Sequence, residues 1–259
     1  MIKRYIKKKV LLILHLLRKI ITFFKKTYVF IIKNITPKND FVMPGGKSTY
    51  CYDKFKEDEL KLCYENFKPH FLKSVFLDKN LMKEFAIKRA LENDSDANNQ
   101  YNYLEFGVGR GTSSKIFLKH LEKKKLYGFD SFVGLKEDWV GQNYTANSLS
   151  QNGIVPKLGP NFFPIQGWIQ DTLPEFLKKN PKKINFIHVD CDTYETTKFI
   201  LSNLKPYLIK GCVILFDELY NFPGWRAGEY KALIEVFNEN EYKYLAFSYN
   251  KNNVTIQLV

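Results

Sequence analysis

The stretch Tyr103-Leu104-Glu105-Phe106-Gly107-Val108-Gly109-Arg110-Gly111, followed at once by Thr112-Ser113, decides how the rest of the chain is read. A short apolar run stops at three alternating glycines, and a helical pattern begins directly after them. Glycine permits the sharp, left-handed turn that lets a strand feed a helix with its N-terminus open to a ligand. From Gln100 onward the same rhythm repeats. Strands are predicted near 102–106, 125–130, 161–166, 184–190, 212–217, 242–248 and 252–258, with helices near 112–122, 171–179, 194–205 and 227–239. Alternating strands and helices imply an α/β fold with a mostly parallel sheet. Only Asn250 to Asn253 separate the last two of the seven strands, which predicts a C-terminal antiparallel hairpin.

In such sheets ligands gather at the carboxyl ends of the strands, so those ends hold the candidate site residues. A dinucleotide fingerprint, GxGxxG, needs its third glycine at position 112, which is Thr; Gly111 arrives one residue early. Glu105 would repel a pyrophosphate but suits a cationic amino group. Here the chain resembles the class I S-adenosylmethionine methyltransferases, whose first motif is Glu/Asp-x-Gly-x-Gly-x-Gly, over about residues 100–240. The resemblance implies a Rossmann-like fold and places Glu105, Gly107, Gly109 and Gly111 around the methionine moiety, Asp130 at the ribose, and Gly167, Trp168 and Asp171 near the adenine. Thr112, Ser113 and Ser131, beside these residues, are further cofactor-binding candidates. Asp171 or Thr172 also reads as a helix N-cap before Pro174.

Two further strand ends carry acids: Ile187-His188-Val189-Asp190-Cys191-Asp192-Thr193-Tyr194 and Phe216-Asp217-Glu218-Leu219. Asp190, Asp217 and Glu218 suit a hard divalent cation such as Mg²⁺. The pattern Asp-x-Asp-x-Tyr-x-x-Thr followed by an acidic pair resembles the metal-dependent sugar O-methyltransferases of the macrocin O-methyltransferase type. That resemblance implies a cation held by those three residues and a sugar hydroxyl as acceptor. Asp190 or Asp192 is the candidate base, with His188 behind them on the same face of the strand. A catechol or small phenol acceptor, and a non-catalytic cofactor-binding protein on a membrane, stay open as alternatives. The long connection Phe132 to Pro160, with Trp139, Gln142, Asn143 and Tyr144, reads as a lid, and Phe222 to Arg226 as a wall of the acceptor pocket.

The net charge of +13 is unevenly placed. Residues 1–40 hold eleven Lys or Arg and one acid, Asp40, whereas the remainder holds 29 basic and 26 acidic residues. The body is therefore near neutral, and no nucleic-acid partner is expected. In residues 1–36 most of the basic residues, among them Arg4, Lys8, Arg18, Lys19, Lys25, Lys26 and Lys33, fall in one helical sector. This predicts an amphipathic helix at an anionic membrane surface, through residues 1–33, or at a partner protein. A spanning helix would carry Arg18, Lys19, Lys25 and Lys26, at roughly 2.5–3.5 kcal/mol each near its centre. The expected location is cytoplasmic, peripheral on the inner face of the membrane, and a homo-oligomer stays open. Four cysteines without CxxC spacing fit a reducing compartment. Residues 37–99 read as a linker and helical lead-in, with Leu60, Leu62, Phe67, Phe71, Leu72, Phe76, Leu81, Phe85 and Leu91 as candidate buried positions, and residues 100–259 as the catalytic domain.

Overall fold

Strand β2 (Asn102–Phe106) is buried along its whole length, as expected of a strand covered on both faces. In the computed structural model, which describes residues 49–94, 100–140, 142 and 144–259, it lies in the middle of an eight-stranded sheet. The predicted N-terminal helix, most of the linker and Asn143 lie outside the described residues. In chain order the elements are α1 (Tyr50–Phe71), β1 (Val75–Leu77), α2 (Lys79–Glu92), β2, α3 (Thr112–Leu121), β3 (Leu126–Asp130), β4 (Phe162–Gln166), α4 (Ile169–Lys179), β5 (Ile184–Val189), α5 (Tyr194–Leu204), β6 (Leu208–Phe216), α6 (Glu229–Val236), β7 (Tyr242–Ser248) and β8 (Val254–Leu258).

The strand order is β1-β7-β8-β6-β5-β2-β3-β4. Strand β8 runs antiparallel to both β6 and β7; the other pairings are parallel. The expected hairpin is present, and the expected seven strands become eight through β1. That strand is only Val75–Leu77, too short to show alternation between two helices. It pairs with β7 and leaves one edge of the sheet to itself.

Alternate side chains on each strand feed two cores. Leu104, Phe106, Ile187, Val189, Ile214 and Phe216 pack with residues of α1, α4, α5 and α6. Tyr103, Phe186, Val213 and Leu215 pack with Met82, Ala86, Ile87 and Ala90 of α2 and Phe117 and Leu121 of α3. Several candidate buried positions in the lead-in are instead exposed: Leu60, Leu62, Leu72, Phe76 and Leu81. Helix α1 docks through a stripe at four-residue spacing, Glu59, Cys63 and Phe67, and Leu60 and Leu62 lie off it. Phe67 sits at the centre of rings from Tyr220, Trp225, Tyr230, Tyr244 and Phe247.

Candidate active site

The chain leaves β2 toward β3 and β4 on one side, and β5 pairs on the other, so the order reverses between β2 and β5. A cavity of about 530 Å³ opens at their carboxyl ends, where such a reversal places ligands. Its walls include Gly107, Val108, Gly109, Thr112 and Ser113 from the first strand end, Asp130 and Ser131 from the second, and Trp168, Ile169 and Gln170. Asp190, Cys191 and Asp192 close one side, and Lys79, Asn80 and Lys83 come from the start of α2.

The glycine turn is shaped by its neighbours as well as for a ligand. Gly107 has φ +91°, and a Cβ there would lie 1.7 Å from the Asp190 carbonyl oxygen. The backbone just after β5 thus passes where any other side chain would stand. Gly109, also left-handed, has open space at its Cβ position, so there the freedom is left for a ligand. Asp130 fixes the turn from the side: its Oδ2 accepts the Val108 and Gly109 N–H groups, each at 2.8 Å, and its Oδ1 accepts that of Phe132.

Not every predicted cofactor residue reaches the cavity. Glu105 is fully buried, with its carboxylate accepting from Ser114 Oγ and facing His188 Nδ1 at 3.2 Å. It braces the strand ends from below instead of facing the cavity. Gly111, Gly167 and Asp171 are absent from the wall, which uses Trp168, Ile169 and Gln170. Helix α4 begins at Ile169, with Trp168 as its N-cap residue, so neither Asp171 nor Thr172 is the cap.

The acids converge as two overlapping groups. His188, Asp190 and Asp217 offer one ligand atom each within 4.8 Å of one another, and so do Asp190, Asp192 and Glu218. Asp217 is engaged already: Lys79 Nζ donates to its Oδ2 at 2.9 Å, Lys83 Nζ lies 3.5 Å from its Oδ1, and Asn253 donates to the same oxygen. Although burial by itself pushes the Asp217 carboxyl up, the His188 ring, Lys83 and Lys79 hold it well below the usual carboxylate range. Asp190 and Glu218 shift the opposite way, because burial and then the Asp217 charge disfavour ionisation. Asp192 is pushed up to about 7 by burial, then by Asp217 and Asp130. Glu218 Oε2 is buried with no hydrogen-bond partner.

His188 itself is sealed off at 0% exposure, its Nε2 lying 3.9 Å from Asp190 Oδ2 and 3.8 Å from Asp217 Oδ1. It can orient those carboxylates but does not line the cavity. Sequence reasoning missed Lys79, Lys83 and Glu229. The last is fully buried and accepts the Glu218 N–H at 2.9 Å. The lysines' i,i+4 spacing was the available signal, since it puts both on one helix face.

A family model described as a methyltransferase domain matches residues 104–219. Over those residues the chain is similar to that methyltransferase family. Among solved structures, the calicheamicin methyltransferase CalS11 superposes with a TM-score of 0.57 at 23% identity, over 68% of this chain and 77% of that one. The O-methyltransferase NovP superposes with a TM-score of 0.50 at 19% identity, over 70% and 79%. A search of the curated proteins finds no match. The chain therefore has the fold of these methyltransferases. Its long β3–β4 connection contributes Gly134, Leu135, Lys136, Leu149 and Gln151 to the cavity, whereas Trp139 and Tyr144 stack on each other outside it. The segment expected to wall the acceptor pocket is packed elsewhere: Trp225 Nε1 donates to the Glu59 carbonyl and Arg226 pairs with the Glu59 carboxylate.

Proposed function

We propose that the enzyme transfers a methyl group from S-adenosylmethionine to a hydroxyl of a sugar. The observation that supports this most directly is the shared cavity: the glycine turn and Asp130 line one part of it, Asp190 and Asp192 another. A cofactor with its methionine end on Gly107 to Ser113 and its ribose at Asp130 would direct its sulfonium toward those carboxylates. Methyl transfer is an in-line displacement, so alignment and a deprotonated oxygen carry the catalysis. Asp192, its carboxyl pushed up to about 7 by burial and then by Asp217 and Asp130, is the group assigned to take the hydroxyl proton. The sugar assignment draws support from an apo structure of CalS11, described as a TDP-rhamnose 3'-O-methyltransferase, at 22% identity and a TM-score of 0.51.

The carboxylates also fit a divalent cation such as Mg²⁺. Asp190, Asp192 and Glu218 form an all-oxygen donor set within 4.8 Å, and Glu218 Oε2 is buried without a hydrogen-bond partner. Asp190 and Glu218 would hold the cation, with Asp217 behind them and Asp192 left for the proton. When bound, it would orient the acceptor oxygen and lower its pKa. Screening sugar and catechol acceptors with S-adenosylmethionine, with and without chelator, tests the reading. Sugar turnover abolished by chelator supports it; turnover of catechols alone, or full activity in chelator, contradicts its acceptor or its cation respectively.

A further inference from the structure

Both oxygens of Asp217 are occupied, yet its neighbours Asp190, Asp192, Glu218 and Glu229 carry no lysine partner of their own among the described ion pairs. The two ammonium groups that balance this carboxylate cluster differ in their freedom. Lys83 is enclosed: its side chain is 4% exposed and its Nζ donates to Ser113 Oγ at 2.6 Å. Lys79 is the first residue of α2, its side chain is 39% exposed, and it lines the cavity. A long, unbranched stem at a helix start can move its charged head into the cavity without disturbing the backbone. The Lys79 ammonium interacts favourably with Asp190 and Glu218 as well as with Asp217, so it sits in the field that a divalent cation would occupy.

We propose that Lys79 and the divalent cation are alternative counter-ions of the Asp217-centred acid cluster, so that binding of the cation turns the Lys79 ammonium away from Asp217 into the cavity. The proposal rests on the cation reading above. Two positive charges a few ångströms apart in a half-buried site repel strongly, and Lys79 is the one that can leave. In the absence of the cation, Lys79 shares with Lys83 the neutralisation of Asp217. It thereby lowers the affinity for the cation, and once displaced it adds a positive group to the cavity wall.

The test is Mn²⁺ binding to the full-length protein, followed by the loss of the free-ion electron paramagnetic resonance signal, in wild type, Lys79→Met, Lys79→Arg and Lys88→Met. Lys88 is an exposed residue of the same helix, paired with Glu84 and outside the cavity wall, and it controls for net charge. The expected result is affinity tightened at least about tenfold in Lys79→Met, with Lys79→Arg and Lys88→Met close to wild type. Lys79→Gln replaces Lys79→Met if thermal melting shows that the latter does not fold. Wild-type binding that Lys79→Met leaves unchanged or weakens overturns the exchange and leaves the cation reading standing. So does an equal tightening in Lys88→Met. Absence of Mn²⁺ binding in every variant overturns both.

Discussion

Gly107 shows how a single position serves both packing and ligand. Its left-handed backbone and the Asp190 carbonyl leave no room for a methyl group. Gly107→Ala should destabilise the fold by on the order of 3 kcal/mol and remove cofactor binding, as read by denaturant unfolding and calorimetry with S-adenosylhomocysteine. Asp192 makes an opposite exchange of stability for chemistry. Its folded-state pKa of about 7 lies above the ordinary 3.8, so ionising it opposes folding, and its contribution falls as pH rises from near 4 through 7. Asp192→Asn should therefore melt higher than wild type at pH 8 while kcat drops on the order of 10²–10⁴-fold. In the wild type kcat/KM should climb about tenfold per pH unit below 7 and flatten above it; a profile that is flat from pH 5 to 8 would remove Asp192 from the role of base. Glu105 was legible as a special acid beside the glycines, but its direction was not. Whether a strand-end carboxylate faces a ligand or a buried histidine depends on His188, 83 residues later in the chain.

Helix α2 is the element whose role the chain conceals best. Read along the sequence it is an ordinary lead-in, and its buried face is made of Met82, Ala86, Ile87 and Ala90. Its first five residues nevertheless deliver Lys79 and Lys83 to Asp217, at the end of β6, which lies between β1 and β2 in the sheet order. Asp78 holds the first turn of the helix in place, accepting the Asn80 and Leu81 N–H groups. Asp78→Ala should cost about 1 kcal/mol by urea unfolding, with Asp78→Asn recovering most of it. Strand β1 escaped notice because three residues cannot display a period; it exists because β7 offers a free edge to pair with. The β3–β4 connection was legible as a ligand-facing loop from its length, but its cavity-lining residues are Leu135, Lys136, Leu149 and Gln151, not its aromatic ones.

At the scale of the whole molecule the charge asymmetry predicts a separable attachment function for the N-terminus. No helix among the described residues, which begin at Thr49, is long and apolar enough to cross a membrane; for residues 1–33 the sequence pattern predicts binding to an anionic surface. Each basic residue near that surface adds about 1 kcal/mol, screened by salt, while buried leucine and phenylalanine add a salt-insensitive part. A chain starting near Pro37 should keep its cofactor affinity and lose sedimentation with phosphatidylserine vesicles; full-length protein that ignores such vesicles at low salt would show that the segment serves another partner. The sequence by itself determined the α/β alternation, the hairpin and the strand ends that carry glycines and acids, because periodicity and turn chemistry are local. Only the tertiary structure decided which acids share a site, which one faces inward, and which lysines neutralise them. Those outcomes depend on the parallel pairing of β2 with β5 and on the packing of α2 against the sheet, contacts between residues far apart in the chain that no local pattern encodes.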